Sequence, residues 1–276
     1  MLLDDEIEVR RPDLPRGQFR GVLFDFDGTL SLIREGWPQV MIPMMVAELR
    51  RTSTAESDAE LTAAVEEFVM RLNGRQTIYQ MMQLADEVTK RGGRALEPLA
   101  YKQRYHDLLM LRIHGRLADL EAGRATAADW TVPGSHELLK NLRRRGLKLY
   151  LASGTDVAFV RREAGLLGLL PYFGNHIYGA LDDYQNFSKQ MIVEKILRDH
   201  GLHGAELLGF GDGFVEIEEV RRAGGVAVAV ASDEVQRRGV NQWKRNRLIR
   251  AGADIVIPEY RKQERLLRFL FNDGVG

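Results

Sequence analysis

Two aspartates separated by a single residue follow a short apolar run near the start of the chain, in the segment Asp25-Phe26-Asp27-Gly28-Thr29. In an extended segment alternate side chains point to the same side, so the carboxylates of Asp25 and Asp27 would lie near each other. Two such carboxylates repel unless a cation or a proton lies between them, which favours a hard divalent metal ion. Gly28 allows a sharp turn whose backbone N–H groups face an anion, and Thr29 adds a hydroxyl. The alternative interpretation is an ordinary Asp-Gly turn.

Other residues with possible chemical roles follow later apolar runs or begin a predicted helix. They are Ser153, Gly154, Lys189, Asp212 and Glu216. Each has an ordinary explanation when it is considered alone: a serine can cap a helix, a lysine can be solvated, and an aspartate can belong to a Gly-Asp-Gly turn. Their joint occurrence at strand ends and helix starts is harder to attribute to coincidence.

The elements that position these residues are predicted from the hydrophobic pattern. Five apolar runs are predicted as buried strands, at residues 21–26, 147–152, 206–211, 226–230 and 254–257. Helical periodicity between them predicts an α/β fold, a Rossmann-like doubly wound parallel sheet covered by helices on both faces. In such sheets ligands bind beyond the carboxyl ends of the strands, where the candidate residues lie.

A long segment after the first strand has a different pattern, because it contains amphipathic helical faces and no strand-like run. Seven of the nine methionines lie in it, and we interpret them as adaptable core filler. The prediction is an inserted all-α domain at residues 33–130, with helices near 59–72, 75–91 and 99–120, and a core domain formed by 17–32 and 131–276.

The candidate residues, taken in order, resemble the four motifs of phosphatases of the haloacid dehalogenase superfamily. The matching residues are Asp25, Asp27 and Thr29 in the first motif, Ser153 in the second, Lys189 in the third, and Asp212 with Glu216 in the fourth. The resemblance covers about residues 21–32 and 132–271. It extends to the branch with phosphoglycolate phosphatases and β-phosphoglucomutases, in which a helical cap follows the first motif, as the insertion does here.

The resemblance implies a chemical role for each of these residues. Asp25 would be the nucleophile that forms an aspartyl-phosphate, and Asp27 the general acid and base. The phosphate-binding residues would be Thr29, Ser153, Gly154 and Lys189, and the Mg²⁺ site would be formed by Asp25, the backbone carbonyl of Asp27, Asp212 and Glu216. Aspartate is frequent at the last position in the family, so for the longer Glu216 a water-mediated contact is easier than direct ligation.

The function predicted in this way is Mg²⁺-dependent hydrolysis of a small phosphorylated metabolite. A phosphomutase remains an alternative, because it would use the same residues and differ only in keeping water from the phosphoryl group. A non-catalytic phosphate-binding protein would be expected to lack one of the four motifs, and none is missing. A dehalogenase would need neither an acid at Asp27 nor a magnesium site.

Composition limits the class of partner. The 39 basic and 39 acidic residues balance, so no overall positive field attracts nucleic acid or an anionic membrane. The absence of cysteine removes disulfides and thiolate sites. No signal peptide and no run of roughly 18 apolar residues is visible. We expect a cytoplasmic protein, a monomer or small homo-oligomer, that binds a small molecule and neither nucleic acid nor membrane.

Two further groups of residues are assigned less directly. Substrate recognition is predicted for Arg75 and Gln76, in a polar loop between two helices, and for Arg34 and Trp37, where the chain enters the insertion. The alternative for Arg75 is an ordinary inter-helix turn in solvent. We interpret a basic cluster near the C-terminus as ordinary helix surface; its members are Arg237, Arg238, Lys244, Arg245, Arg247 and Arg250.

Overall fold

The structure is a computed structural model that describes residues 1–3, 6–181 and 188–273. Contacts divide the chain into two compact units, Met1–Glu35 with Asp119–Gly276, and Gly36–Ala118. The helical unit is shorter at both ends than the insertion predicted at 33–130, whose boundaries stay a prediction. Over the described ranges, none of the helices is both long enough and apolar enough to cross a bilayer.

The unit Gly36–Ala118 is built from helices. They are α1 (Pro38–Leu49), α2 (Asp58–Leu72), α3 (Thr77–Lys90) and α4 (Pro98–Glu121), the last of which ends beyond the unit. A capping box starts α2: the Ser57 side chain accepts the Glu60 N–H, and the Glu60 carboxylate accepts the Ser57 N–H. Met41, Met45 and Met81 are fully buried in the core, which agrees with methionine as core filler.

The other unit contains a seven-stranded sheet in the described part of the chain. Its strands are β1 (Glu8–Val9), β2 (Gly21–Phe24), β3 (Lys148–Asp156), β4 (Ile177–Ala180), β5 (Leu207–Gly211), β6 (Val226–Val230) and β7 (Ile255–Ile257). The order is β1-β7-β6-β5-β2-β3-β4. Only β1 runs antiparallel to its neighbour; the other pairs are parallel. The predicted parallel α/β sheet is confirmed, and β1 and β4 are the strands that the hydrophobic pattern did not reveal.

Helices cover both faces of this sheet. They are α5 (Ser135–Arg144), α6 (Val157–Leu166), α7 (Leu170–Phe173), α8 (Lys189–His200), α9 (Phe214–Arg222), α10 (Gln242–Arg250) and α11 (Gln263–Phe271). On one face α8, α9 and α10 share a core with the strands, in which Ile196 and Val220 pack near Leu23. On the other face Phe24 stacks on Phe210, with ring centroids 4.8 Å apart.

The contact between β5 and α9 is unusually close. Gly209 in the middle of β5 faces Val220 of α9, and a Cβ added to this glycine would lie 2.5 Å from Val220 Cγ2. Only a residue without a side chain allows the helix to pack at this distance. The close packing fixes the separation between the end of β5 and the first turn of α9, and both carry candidate site residues.

Gly209→Ala should therefore destabilise the protein by about 1–3 kcal/mol, because the added methyl forces the strand and the helix apart. Urea unfolding measures the effect. Gly115→Ala in α4 is the control: apart from its chain neighbours and the backbone of its own helix, no atom lies within 4 Å of its added Cβ, so stability should rise by up to about 1 kcal/mol. A Gly209→Ala variant as stable as the wild type would contradict the close approach.

Candidate active site

The carboxyl ends of the central strands bring the candidate residues to one edge of the sheet. Phe24 at the end of β2 pairs with Leu151 in β3 and with Phe210 in β5, so the residues beyond these positions are neighbours. Asp25 continues the pairing, since its N–H donates to the Phe210 carbonyl at 2.9 Å. Asp212 follows β5 directly. Polar residues follow each of these apolar strands in the sequence. This pattern places them together at one edge of the sheet.

Three carboxylates converge at this edge. Asp25, Asp212 and Glu216 each have an oxygen within 4.8 Å of those of the other two. Glu216 lies in the first turn of α9 and is buried, as is Asp25. The longer glutamate side chain thus reaches the other two acids. Among the described residues, Glu216 Oε2 has no hydrogen-bond partner, so one oxygen of this group is available for a cation.

Lys189 provides a positive charge in direct contact with this cluster. It is the first residue of α8, whose N-cap Ser188 accepts the Met191 N–H at 3.1 Å. Its Nζ donates to Asp25 Oδ1 at 2.7 Å and to the Glu216 carboxylate. Burial disfavours the charged lysine, but the two carboxylates outweigh this effect and raise its pKa. Lys189 is therefore a buried cation and not the solvated helix residue that the sequence also allowed.

Burial also changes the acid–base behaviour of Asp25. It raises the pKa of this carboxyl to about 7, and the attraction of Lys189 offsets only part of the shift. An aspartate would otherwise be fully ionised at neutral pH. Full ionisation of Asp25 therefore depends on further positive charge in the site.

Asp27 points toward the end of β3 rather than into the carboxylate cluster. Its Oδ2 accepts hydrogen bonds from Thr155 Oγ1 at 2.8 Å and from Ser153 Oγ at 3.4 Å. The pairing of β3 with β4 shifts register between Ala152 and Asp156, an irregularity of the kind that redirects side chains near active sites. Thr155, which the sequence analysis did not assign, is the nearer of the two hydroxyls.

A buried arginine lies beside Asp27. Arg34 Nε is 3.8 Å from Asp27 Oδ1, and its guanidinium binds the Glu163 carboxylate, with Nη2 2.6 Å from Oε1. Burial raises the pKa of Asp27 to about 7, while Arg34 opposes and Glu163 reinforces the shift. A pKa in this range suits a group that donates and accepts a proton near neutral pH. Glu163, which fixes Arg34, was not among the predicted residues.

Asp212 is held by a second buried lysine that the sequence analysis interpreted wrongly. Lys244 Nζ donates to Asp212 Oδ2 at 2.7 Å and to Glu234 Oε1 at 2.6 Å. Lys244 is only 8% exposed, so it does not belong to the helix surface. It lies one turn before the buried Leu248, and this shared face of α10 was the available signal. Burial raises the pKa of Asp212, and Lys244 opposes the shift.

The loop after β2 is fixed to the neighbouring strand ends. Thr29 Oγ1 accepts the Asp212 N–H at 3.0 Å, and the Thr29 carbonyl accepts the Tyr260 hydroxyl at 2.9 Å. Gly28 has a φ of 73°, and an added Cβ would lie 2.2 Å from Asp212 Oδ2. The Thr29 side chain therefore joins the ends of β2 and β5, and its predicted contact with phosphate stays a prediction.

The remaining candidates differ in their surroundings. Gly154 is half-buried within β3. In the helical unit, Arg75 is exposed in the turn between α2 and α3, Gln76 is buried at the N-cap position of α3, and Trp37 is half-buried at the N-cap position of α1. Their part in substrate recognition, like that of Arg34, stays a prediction.

The arrangement of donors fits a small hard cation. The cluster offers carboxylate oxygens alone, which Mg²⁺ prefers, and an unused oxygen on Glu216. Residues Asp25, Asp212 and Glu216 could hold such an ion, with Lys189 beside it. Asp27, whose carboxylate accepts hydrogen bonds from two hydroxyl groups, follows the cluster residue Asp25 by two positions in the sequence. Together these groups can bind an anion, attack it with a carboxylate and transfer a proton.

Comparison with known families agrees with this arrangement. The sequence model of the haloacid dehalogenase-like hydrolases matches residues 19–224, about three quarters of the chain. The chain belongs to this hydrolase family. The matched range contains all four motifs. The resemblance that was inferred from these motifs is therefore confirmed at the level of the family. No curated protein matches the sequence significantly.

Solved structures share the fold at low sequence identity. A predicted phosphoglycolate phosphatase from Haemophilus somnus is 16% identical with a TM-score of 0.61, and the match covers 90% of this chain and 98% of that one. A haloacid dehalogenase-like protein of unknown function from Agrobacterium tumefaciens is 20% identical, with a TM-score of 0.60 and coverages of 90% and 97%. A β-phosphoglucomutase from Clostridium difficile is 14% identical, with a TM-score of 0.58 and coverages of 90% and 96%.

Lys189→Met should destabilise the metal-free protein by about 3–5 kcal/mol, because it leaves two buried carboxylates without their cation. Denaturant unfolding in the presence of a chelator measures the difference. Lys195→Met, which removes an exposed lysine from the same helix, should leave stability near that of the wild type. Equal stability of the two variants would show that Lys189 does not neutralise the cluster.

Proposed function

We propose that this family member is a Mg²⁺-dependent phosphatase that hydrolyses the monoester of a small phosphorylated metabolite through an aspartyl-phosphate on Asp25. The observation that carries the proposal is the convergence of three carboxylate oxygens within 4.8 Å at the carboxyl edge of the sheet, next to a buried lysine. A phosphate dianion needs this combination, because the anion must be neutralised before an anionic nucleophile can approach it.

A metal ion in this site would be held by Asp25, Asp212 and Glu216, and the Asp27 carbonyl is proposed as a further ligand. Bound there, Mg²⁺ would supply positive charge that neutralises the phosphoryl oxygens and keeps Asp25 ionised. Ser153, Gly154 and Lys189 would bind the remaining phosphoryl oxygens. Lys189 already donates to Asp25 Oδ1, so it lies beside the atom that attacks.

In the first step a carboxylate oxygen of Asp25 forms a bond to phosphorus while the bond to the ester oxygen breaks. Asp27 protonates the departing oxygen. Its two oxygens differ in their surroundings: Oδ2 accepts from Thr155, whereas Oδ1 has no hydrogen-bond partner among the described residues.

In the second step Asp27, now ionised, removes a proton from water, and the water oxygen attacks phosphorus. The bond between phosphorus and Asp25 breaks, which releases inorganic phosphate and restores the carboxylate. Arg34 lies close enough to Asp27 to favour its ionised form in this step, and Glu163 limits that effect. A pKa near 7 allows Asp27 to serve in both steps.

A phosphomutase is the second candidate, because it would use the same residues. In that case the phosphoryl group returns to the substrate and water is excluded during the exchange. We propose that the helical unit acts as a cap and that its closure decides between the two outcomes. Release of inorganic phosphate from a panel of phosphorylated metabolites would support the hydrolase, and formation of an isomeric phosphate ester without release would support the mutase.

Asp25→Asn should abolish turnover of a phosphate ester, because an amide cannot form the acyl-phosphate. Asp27→Asn should lower kcat by about 10²–10⁴-fold, the usual contribution of a general acid and base. Circular dichroism checks that both variants are folded. Asp199→Asn, an exposed aspartate on α8, is the control and should keep wild-type activity. Activity of Asp25→Asn within tenfold of the wild type would exclude Asp25 as the nucleophile.

Removal of divalent ions should abolish hydrolysis of a generic chromogenic phosphate ester, and added Mg²⁺ should restore it. Ca²⁺ should restore little activity, because its larger and looser coordination shell misplaces the phosphoryl group. The rate of colour formation after chelation and after addition of each ion measures this. Equal rates with the two ions, or full activity in the chelator, would contradict the proposed role of Mg²⁺.

A further inference from the structure

Lys244 has no part in the mechanism described above, although it contacts a proposed metal ligand. Its Nζ lies between the carboxylates of Asp212 and Glu234, and 3.4 Å from Ser232 Oγ. Asp212 also contributes one carboxylate oxygen to the cluster with Asp25 and Glu216. A lysine between two acids can position one of them, or it can simply adjust the charge of the site.

The position of Lys244 is fixed by the backbone around it. Asn241 caps α10 by accepting the Lys244 N–H at 3.0 Å, and the Asn241 N–H donates to the Ala231 carbonyl at 2.8 Å. The start of α10 is thereby joined to the end of β6. A long flexible side chain that begins at a fixed backbone and ends on two carboxylates loses most of its freedom.

Glu234 is fixed in a similar way. It lies in a turn in which Asp233 Oδ1 accepts the N–H groups of Val235 at 3.1 Å and Gln236 at 2.8 Å. Ser232, two residues earlier, donates to the Gly28 carbonyl at 3.0 Å, which connects this turn to the loop after β2. A Cβ on Gly28 would lie 3.1 Å from Glu234 Oε1. Glu234, the acid that contacts Lys244, therefore packs against the loop after β2, which follows the proposed nucleophile Asp25.

We propose that Lys244, oriented by Glu234, is a positioning residue that holds Asp212 so that a single carboxylate oxygen faces the metal site. The inference deepens the proposed Mg²⁺-dependent function and rests on it. Mg²⁺ demands near-ideal octahedral geometry at roughly 2.0–2.1 Å, whereas Ca²⁺ accepts six to eight ligands and bidentate carboxylates. A carboxylate that presents one fixed oxygen therefore favours Mg²⁺ over Ca²⁺.

A positioning role and a charge role predict opposite results when the lysine is removed. If Lys244 only reduces negative charge, Lys244→Met makes the site more negative, and both ions bind more tightly. If Lys244 positions Asp212, the same variant binds Mg²⁺ more weakly and loses selectivity. The double variant Lys244→Met/Glu234→Gln removes one charge of each sign, so it keeps the net charge of the wild type and separates the two roles.

The experiment is calorimetric titration of the metal-free full chain with Mg²⁺ and with Ca²⁺, without substrate. We expect Lys244→Met to weaken Mg²⁺ binding by about 10–100-fold, as loss of partners that orient metal ligands usually does. Ca²⁺ affinity should fall less, and the double variant should show the same loss of Mg²⁺ selectivity. In turnover, excess Mg²⁺ should restore the kcat of Lys244→Met toward that of the wild type.

Unchanged or tighter Mg²⁺ binding by Lys244→Met, or wild-type selectivity in the double variant, would overturn the proposal. If the single variant does not fold in the chelator, the double variant decides, because it leaves only Asp212 without its cation, whereas the single variant leaves both Asp212 and Glu234 without it. Lys195→Met, which lacks an exposed lysine, should bind both ions as the wild type does. A wild-type chain that binds neither ion and releases no phosphate overturns the proposed function as well, whereas normal wild-type binding with unaffected variants overturns only the role of Lys244.

Discussion

The cost of burying carboxylates at the end of a parallel sheet is the constraint on which the rest of the site depends. An isolated buried carboxylate would take up a proton, and a cluster of them would repel each other. In this chain a buried cationic side chain lies beside each of the three aspartates of the site, and a glutamate contacts each of these cations. The three groups are Asp25–Lys189–Glu216, Asp27–Arg34–Glu163 and Asp212–Lys244–Glu234.

The three groups are not equivalent, and the differences follow from where their members lie. Glu216 contributes to the carboxylate cluster itself and leaves one oxygen without a hydrogen-bond partner in the described structure. Glu163 is bound by both Nε and Nη2 of Arg34, so it is occupied as a partner of the arginine. One glutamate is therefore suited to bind a cation, whereas the other restrains a side chain. The same residue type thus has different surroundings, because Glu216 is a member of the carboxylate cluster and Glu163 is a partner of Arg34.

The sequence predicted the parts of this arrangement that depend on local patterns. Apolar runs ending in polar residues indicated β2, β3 and β5, and hence that Asp25, Ser153 and Asp212 would meet. The two-residue β1 and the short β4 were missed because neither forms a continuous apolar run. Lys244 and Glu163 were missed for another reason: a charged residue in an amphipathic helix has the pattern of a surface residue. Its burial depends on partners distant in sequence, and periodicity gives only a weak signal of it, such as the helical face that Lys244 shares with Leu248.

The central position of β2 has a consequence for how the chain reaches its native state. This early strand pairs with β3 and β5, which are encoded more than 100 residues later, and Asp25 meets its lysine across 164 residues. Contacts of such long range require large loops to close before they contribute, and they are associated with slow folding. During synthesis, Asp25 leaves the ribosome well before Lys189, the buried cation that it contacts. The carboxylate cluster can assemble only after the residues through Glu216 have been synthesised.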